Sequence, residues 1–313
     1  MTNLFLGIDT SCYTTSLALM DEEGNLVGDY RKPLEVETGK IGLRQSHGFF
    51  MHVGNLPVLY ADLVKDWDPK CIKAIGVSTR PRNVQDSYMP VFTAGEHFAN
   101  TVALSLGVKV LPFSHQEGHI EASKWSAKTN VEPFMALHLS GGTSELLLVN
   151  TDNGRYQAHI VGGAKDISAG KLIDRVGVHM GLAFPAGKEM DSMITFSPKH
   201  KWGYPTSVKD GWINLSGLEN YAKKKYDQDQ NQSNVAEGLF EAIAKSLLKV
   251  LKQASETHRV KSILFGGGVT SSQYLKAYLK HHCKDLELIF CDPRYAVDNA
   301  VGIAEMCRRS FQK

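Results

Sequence analysis

The feature that most constrains this chain is a pattern that occurs twice. Residues 4–9 form a short apolar run ending in a polar turn, Thr10-Ser-Cys-Tyr-Thr-Thr15. A second strand-like run, 16–20, follows and closes on Asp21-Glu-Glu-Gly-Asn25. Far downstream the same order returns: 134–139 is apolar, Ser140-Gly-Gly-Thr-Ser144 is a polar glycine turn, 146–149 is strand-like and 150–154 is a turn. Each reads as a β-hairpin with a small-residue tip. Two such openings predict two related lobes, and 313 residues at roughly 100–200 per domain predict the same number of domains.

Strands are expected at 73–78, 109–113, 261–265 and 286–291, and helices at 91–106, 169–182, 234–257 and 298–309. In the helix 234–257, Asn234 and Glu237 have capping-box spacing, and Leu239, Ile243, Leu247, Val250, Leu251 and Ala254 form the apolar face. Alternating strands and helices make the class α/β. The stretch 197–232 is polar and weakly periodic, which predicts a long connection or an inserted subdomain.

The composition, 42% hydrophobic and 22% charged with a formal net charge of +2, is that of a soluble globular protein. It excludes collagen-like, disordered and disulfide-scaffold classes. The near-balance of charge excludes a basic arm or acidic tail but not a local patch that touches phosphate. The N-terminal residues lack the pattern of a signal peptide, and no run is long enough to span a bilayer, so no membrane association is expected. Five scattered cysteines, Cys12, Cys71, Cys283, Cys291 and Cys307, include no CxxC, which fits a reducing cytoplasm.

His115-Gln-Glu-Gly-His119 sets two imidazoles at i and i+4, a spacing that can hold one metal ion or belong to two solvated or core histidines. Glu117 is one residue out of place for HExxH, so a zinc-protease centre is not supported. Asp298 and His138 are candidate third ligands. Ser140-Gly141-Gly142 and Gly266-Gly267-Gly268 can present backbone N–H groups to an anion or serve as tight turns. Neither fits a P-loop or a dinucleotide fingerprint. Asp166, Asp174 and Asp191 can meet ribose hydroxyls, bind a cation, or lie solvated. Lys223-Lys-Lys225 and Arg308-Arg309 read as solvated faces, and Cys12 as a small buried residue.

In order along the chain, Gly7-Ile-Asp-Thr-Ser-Cys12, His115–His119, Leu139-Ser-Gly-Gly142, Ser168-Ala-Gly170 with Ile173-Asp174-Arg175, Gly181-Leu182 and Pro185-Ala-Gly187, Leu215-Ser-Gly-Leu218, Gly266-Gly-Gly-Val269 and Val297-Asp-Asn-Ala300 resemble the motifs of the TsaD/Gcp family. These are tRNA N6-adenosine threonylcarbamoyltransferases, formerly described as O-sialoglycoprotein endopeptidases of peptidase family M22. The resemblance implies a two-lobed actin/hexokinase/sugar-kinase-like fold. The lobes would be 1–130, with a C-terminal helix 298–313 packing back on it, and 131–297. It implies one iron or zinc ion on His115, His119 and Asp298, with His138 a further candidate. It implies an adenine nucleotide, as ATP, AMP or threonylcarbamoyl-adenylate, lined by His138, Leu139, Ser140, Gly141, Gly142, Asp174, Gly187, Asp191, Gly267 and Ser272. TsaB-like and TsaE-like partners, a homodimer, tRNA as acceptor and a cytoplasmic setting follow from the same resemblance.

This chain departs from the family pattern as a divergent paralogue would. Tyr13 and Thr14 stand where the family has two acidic residues, so no catalytic residue is assigned. Arg80-Pro81-Arg82 replaces a Gly-Pro-Gly segment, Lys171 a glutamate and Ser272 an asparagine. The expected activity is metal-dependent threonylcarbamoyl transfer to tRNA, weakened by the loss at 13–14, and not peptide hydrolysis. The alternatives are a carbamoyl- or adenylyl-type transferase with a non-tRNA acceptor, or a nucleotide-binding scaffold paired with an intact TsaD.

Overall fold

The first strand, β1 (Leu4–Thr10), is buried at every position. A run without a solvent face belongs at the centre of a sheet covered on both sides. In the computed structural model, which describes residues 2–11, 13–35, 43–194 and 203–312, β1 lies at the centre of a five-stranded sheet. It pairs with β2 (Thr14–Asp21) antiparallel, and β2 pairs with β3 (Leu26–Pro33). After α1 (Gln45–Asp66) the chain returns as β4 (Ile72–Arg80), parallel to β1. After α2 (Phe92–Leu106), β5 (Lys109–Ser114) joins parallel to β4. The order is β3-β2-β1-β4-β5. α3 (His115–Ser126) follows β5 directly.

The second sheet repeats this plan. β6 (Phe134–Leu139), β7 (Ser144–Asp152) and β8 (Arg155–Ala164) form the meander. Then come α4 (Ala169–His179), the short α5 (Gly187–Ser192), β9 (Ser207–Lys209), β10 (Trp212–Asn214), α6 (Ser216–Asp229) and α7 (Gln232–His258). β11 (Ser262–Gly266) lies parallel to β6, and after α8 (Gln273–His282), β12 (Glu287–Phe290) lies parallel to β11. The order is β12-β11-β6-β7-β8-β10-β9. The chain ends in α9 (Val301–Phe311). The described residues divide into two units, Met1–Asn130 with Thr151–Gln157 and Arg294–Lys313, and Val131–Asn150 with Ala158–Pro293. No described helix is long and apolar enough to cross a membrane.

In the first unit, absent side chains seat α9. A Cβ on Gly7 of β1 would lie 2.5 Å from the Ala300 carbonyl oxygen, and one on Gly302 would lie 1.9 Å from that of Gly118 in α3. Helix α9 therefore touches sheet and α3 backbone to backbone, which carries the loop before it, with Asp298, to the start of α3. The second unit is built on α7, whose buried side includes Val235, Leu239, Phe240, Ile243, Leu247, Val250 and Leu251.

Several elements differ from the sequence expectation. The helix expected from Asn234 begins at Gln232, because Asn231 rather than Asn234 is the cap: its side chain accepts the Asn234 N–H. The helix expected from Asp298 begins at Val301, since the Asn299 side chain accepts the Val301 N–H and leaves 298 in the loop. The helix expected to reach 182 stops at His179, and Gly181 turns with φ +87°. The polar stretch 197–232, described from 203 onward, is not a separate subdomain: β10 pairs with β8 and extends the second sheet.

Candidate metal centre and glycine loops

The metal candidates occupy one corner of the first unit. Ser114 ends β5 and caps α3 in a full capping box, its hydroxyl accepting the Glu117 N–H while the Glu117 carboxylate accepts the Ser114 N–H at 2.8 Å. Glu117 is buried and also holds Arg155 at 2.8 and 2.9 Å, so it fixes the helix start. Its carboxyl stays below the usual range although burial pushes the other way, because Arg155 and Ser114 donate to it. That start puts His115 and His119 side by side, ring centroids 4.3 Å apart.

Asp298 completes the group. Its loop is pinned by Asn299, whose amide donates to the Val297 carbonyl at 2.7 Å, and by the Ala300 N–H on Ser16 Oγ at 2.9 Å. Asp298 Oδ1 lies 3.4 Å from His119 Nε2 and 3.8 Å from His115 Nε2. Donor atoms bound at about 2.1 Å around a tetrahedral ion stand about 3.4 Å from each other. The three donors therefore already have nearly the spacing of a ligand set, and all lie within 4.8 Å of one another. A zinc or non-haem iron ion fits this set of two imidazoles and one carboxylate.

Behind His115 stands Asp9, at the carboxyl end of β1 and 1% exposed. Its Oδ2 accepts from His115 Nδ1 at 2.8 Å, and its Oδ1 accepts from the Ser11 N–H at 2.9 Å. A carboxylate on Nδ1 leaves the Nε2 lone pair for a metal and orients the ring. Burial alone would lower the His115 pKa, but the carboxylates of Asp9 and Asp298 push it up to about 9. Burial would raise Asp9; His115 more than offsets this and holds it below its ordinary value.

His52 of α1, which the sequence reading does not single out, is fully buried beside this corner. Its Nε2 meets the Ser11 carbonyl at 2.7 Å and its Nδ1 meets Thr15 Oγ1 at 2.8 Å. Nε2 must donate to the carbonyl, so Nδ1 accepts from the threonine. Burial lowers its pKa, which keeps this arrangement neutral. His52 thus ties the turn at residues 11–15 to α1. In that turn Tyr13 is 47% exposed, its carbonyl accepts the Leu34 N–H, and Thr14 opens β2. Cys12 lies outside the described residues.

The nucleotide candidates are in the second unit. Ser140 and Thr143 close the turn after β6, with the Ser140 N–H on the Thr143 carbonyl at 2.8 Å and the Thr143 N–H on Ser140 Oγ at 3.0 Å. Gly141 and Gly142 are exposed, and a Cβ on either would meet nothing within 4 Å. No internal packing requires glycine there, so the space is open to a ligand. Gly267 differs: φ is +88° and a Cβ would fall 2.3 Å from the Leu139 carbonyl oxygen. It is a demand of the fold. His138, on β6 opposite Glu145 of β7, is half-buried, and Leu139 is buried.

The acidic candidates divide. Asp174 Oδ1 accepts the Ala186 N–H at 2.9 Å, which ties α4 to the turn before Gly187; burial raises its pKa despite these N–H donors. Asp191 and Ser272 meet each other at 2.5 Å, and Asp191 also accepts the N–H groups of Gln273 and Tyr274, so together they cap α8. Asp166 does not belong with them. It accepts the N–H groups of Leu215 and Ser216 at 2.9 and 2.8 Å and holds the start of α6. Of the basic clusters, Lys223 pairs with Glu219, Arg308 with Glu305 and Arg309 with Glu121. The three carboxylates are buried, so these side chains are structural pairs rather than the solvated faces expected from the sequence.

A family model for TsaD, tRNA N6-adenosine threonylcarbamoyltransferase, matches residues 52–305. A curated relative of that name from Thermosipho africanus is 26% identical over 99% of this chain and 95% of its own length. A probable bifunctional tRNA threonylcarbamoyladenosine biosynthesis protein from Methanothermobacter thermautotrophicus is 28% identical over 96% of this chain and 54% of its own length. Among solved structures, a ROK family glucokinase from Streptomyces griseus superposes with a TM-score of 0.55 at 12% identity, covering 99% of this chain and all of that one. HypF from T. kodakarensis superposes with a TM-score of 0.63 at 13% identity, covering 99% of this chain and 47% of that one. The structural likenesses establish the actin/hexokinase-like fold, and the sequence matches establish the family: the chain belongs to the TsaD family of transferases, the tRNA N6-adenosine threonylcarbamoyltransferases.

Proposed function

We propose that this protein transfers a threonylcarbamoyl group from threonylcarbamoyl-adenylate to N6 of an adenosine in tRNA, with one iron or zinc ion held by His115, His119 and Asp298. The observation that carries the reading is the near-ligand spacing of those three donors, in a chain that matches the family across both units. When bound, such an ion supplies Lewis-acid polarisation of a substrate oxygen. His138 is a further candidate ligand.

The chain's own residues do the rest. Asp9 holds the His115 ring so that Nε2 faces Asp298, and the capping box of α3 fixes both imidazoles. Gly141 and Gly142, exposed and with open space where a Cβ would stand, suit the phosphate of the adenylate, with Gly268 beside a second open turn. Asp174, Gly187, Asp191 and Ser272 frame the rest of that site. In the transfer, the N6–carbonyl bond forms and the carbonyl–phosphate bond breaks. AMP leaves, and the N6 proton passes to water or to the departing phosphate. No carboxylate at 13 or 14 takes that proton, so transfer is slow.

TsaB-like and TsaE-like proteins, or a second copy of this chain, are the proposed partners, and the cytoplasm the proposed setting. The complete donor set favours an enzyme over a scaffold, which has no use for one. The test is elemental analysis after zinc or iron loading, together with transfer to tRNA in the presence of both partners. One metal equivalent in the wild type, lost in His115→Ala with His119→Ala, supports the reading. Equal metal in both proteins, or no modified tRNA after prolonged incubation, overturns it.

A further inference from the structure

We propose that Arg80 binds an oxyanion, a carboxylate or a phosphate, on the molecule held at the His115–His119–Asp298 centre. The proposal rests on the metal reading above and adds the recognition of its ligand. It starts from topology. β1, β4 and β5 run parallel and adjacent, and ligands of open α/β sheets bind beyond the carboxyl ends of such strands. At those ends stand Asp9 on β1, Arg80 on β4, and Ser114 followed by His115 on β5. The register pairs Arg80 with Ser114. The next residue, Pro81, accepts the Gln116 N–H through its carbonyl at 3.0 Å. The Arg80 loop is thus seated on the first turn of the helix that carries both imidazoles.

The guanidinium has no counter-ion among the described residues. Arg80 Nη2 donates to Asn83 Oδ1 at 2.9 Å and Nη1 reaches Thr79 Oγ1 at 3.5 Å, both neutral acceptors. Arg31, Arg155, Arg175, Arg308 and Arg309 each hold a carboxylate. Arg80 is half-buried, and a cation withdrawn from water without a partner is costly. A ligand anion offsets that cost. Guanidinium has five N–H donors in a planar fork, and the two internal contacts leave the others for a carboxylate or phosphate. Asn83 itself donates to the Tyr156 carbonyl at 3.4 Å, so the side chain that holds Arg80 is held in turn. Such preorganisation lowers the ordering cost on binding.

The experiment uses the full chain loaded with zinc, as wild type, Arg80→Gln and Arg80→Lys. Calorimetry measures binding of N-carbamoyl-L-threonine, which offers a carboxylate, and of inorganic phosphate. The wild type is expected to bind at least one. Arg80→Gln should weaken that probe by about 10–100-fold, the usual worth of charged hydrogen bonds, and Arg80→Lys by less. Zinc content and melting temperature should stay at wild-type values. The probe that weakens identifies the anion. Equal affinities in Arg80→Gln and wild type, or no binding of either probe by zinc-loaded wild type, overturn the role of Arg80 while leaving the metal centre standing. Wild type that takes up no zinc overturns both.

Discussion

Replacing Gly302 by alanine tests whether the candidate metal centre depends on the seat of α9. The added Cβ would lie 1.9 Å from the Gly118 carbonyl oxygen and 2.6 Å from the Ala122 nitrogen. Neither neighbour is a flexible side-chain tip; both are backbone of α3. To restore an ordinary contact of about 3.5 Å the two helices must part by well over an ångström. Overpacking of this kind costs about 1–3 kcal/mol. The larger consequence is local, because His115 and His119 ride on α3 while Asp298 sits at the head of α9. Their donors now stand 3.4 and 3.8 Å apart, and metal bonds are set to within about 0.2 Å. Zinc affinity, measured by competition with a chelator, should fall at least about tenfold, the lower end of what disturbed ligand support costs. The control is Gly54→Ala in the exposed middle of α1, where a Cβ meets nothing within 4 Å. It should raise stability by about 0.5–1 kcal/mol through helix propensity and leave zinc binding alone. A Gly302→Ala protein with wild-type melting temperature and zinc affinity would refute the reasoning, since α9 would then have room that the backbone contacts deny it.

Other outcomes follow from the same geometry. Gly141→Val should abolish AMP binding in calorimetry without lowering the melting temperature, whereas Gly267→Val should destabilise the fold itself. Wild-type transfer to tRNA should run about 10²–10⁴-fold slower than that of a family member with both acidic residues, the usual worth of general acid–base help, and Tyr13→Asp with Thr14→Glu should raise it in the same assay. Asp166 is held down to about 2: burial pushes it up, but the N–H groups of Leu215 and Ser216 more than reverse this. A depressed folded-state pKa contributes stability above the unfolded value near 3.8 that is lost as pH falls toward 2. Acid unfolding curves of wild type and Asp166→Asn should therefore differ most at neutral pH and converge at the acid end of that window; curves that stay parallel would count against it.

The hairpins were legible because β1 and β6 are almost wholly buried, and a buried central strand writes itself as an unbroken apolar run. β3 and β8 were not: β3 has no buried position and carries Arg31 and Lys32, while β8 buries only Tyr156, Gly162 and Gly163 and carries Gln157, so neither shows a continuous apolar run. Helix α1 was hidden for a different reason. Leu56, Leu59 and Leu63 line its buried side, but Phe50, Val53, Val58 and Val64 are exposed and Pro57, a residue that usually ends a helix, lies inside it, so no clean amphipathic period remains. His52 sits on the buried side of that helix, and its partners at 11 and 15 lie on another element. The histidine pair at 115 and 119 is a local pattern and could be read directly. Asp298 could be named beside His138 as a candidate third ligand, but the residues alone did not choose between them, because the Asn299 turn and the seat of α9 are what bring Asp298 to the pair. Asp9 had a motif position but no visible role, for its partner is 106 residues away.

The two sheets repeat one plan, β3-β2-β1-β4-β5 against β8-β7-β6-β11-β12, and the duplication makes their differences informative. In the first, the carboxyl ends of the three parallel strands lead into Asp9, Arg80 and His115, groups equipped to bind through charge and lone pairs. In the second, β6 leads into Ser140-Gly141-Gly142 and β11 into Gly266-Gly267-Gly268, where Gly141, Gly142 and Gly268 lie exposed with open space at the Cβ position. The same fold positions thus carry opposite chemistries: one suited to a cation and its anionic ligand, the other to a phosphate reached by N–H groups. The backbone plan dictates neither. Side chains at a few strand ends do, so exchanging those residues is a more searching test of function than any change in the cores beneath them.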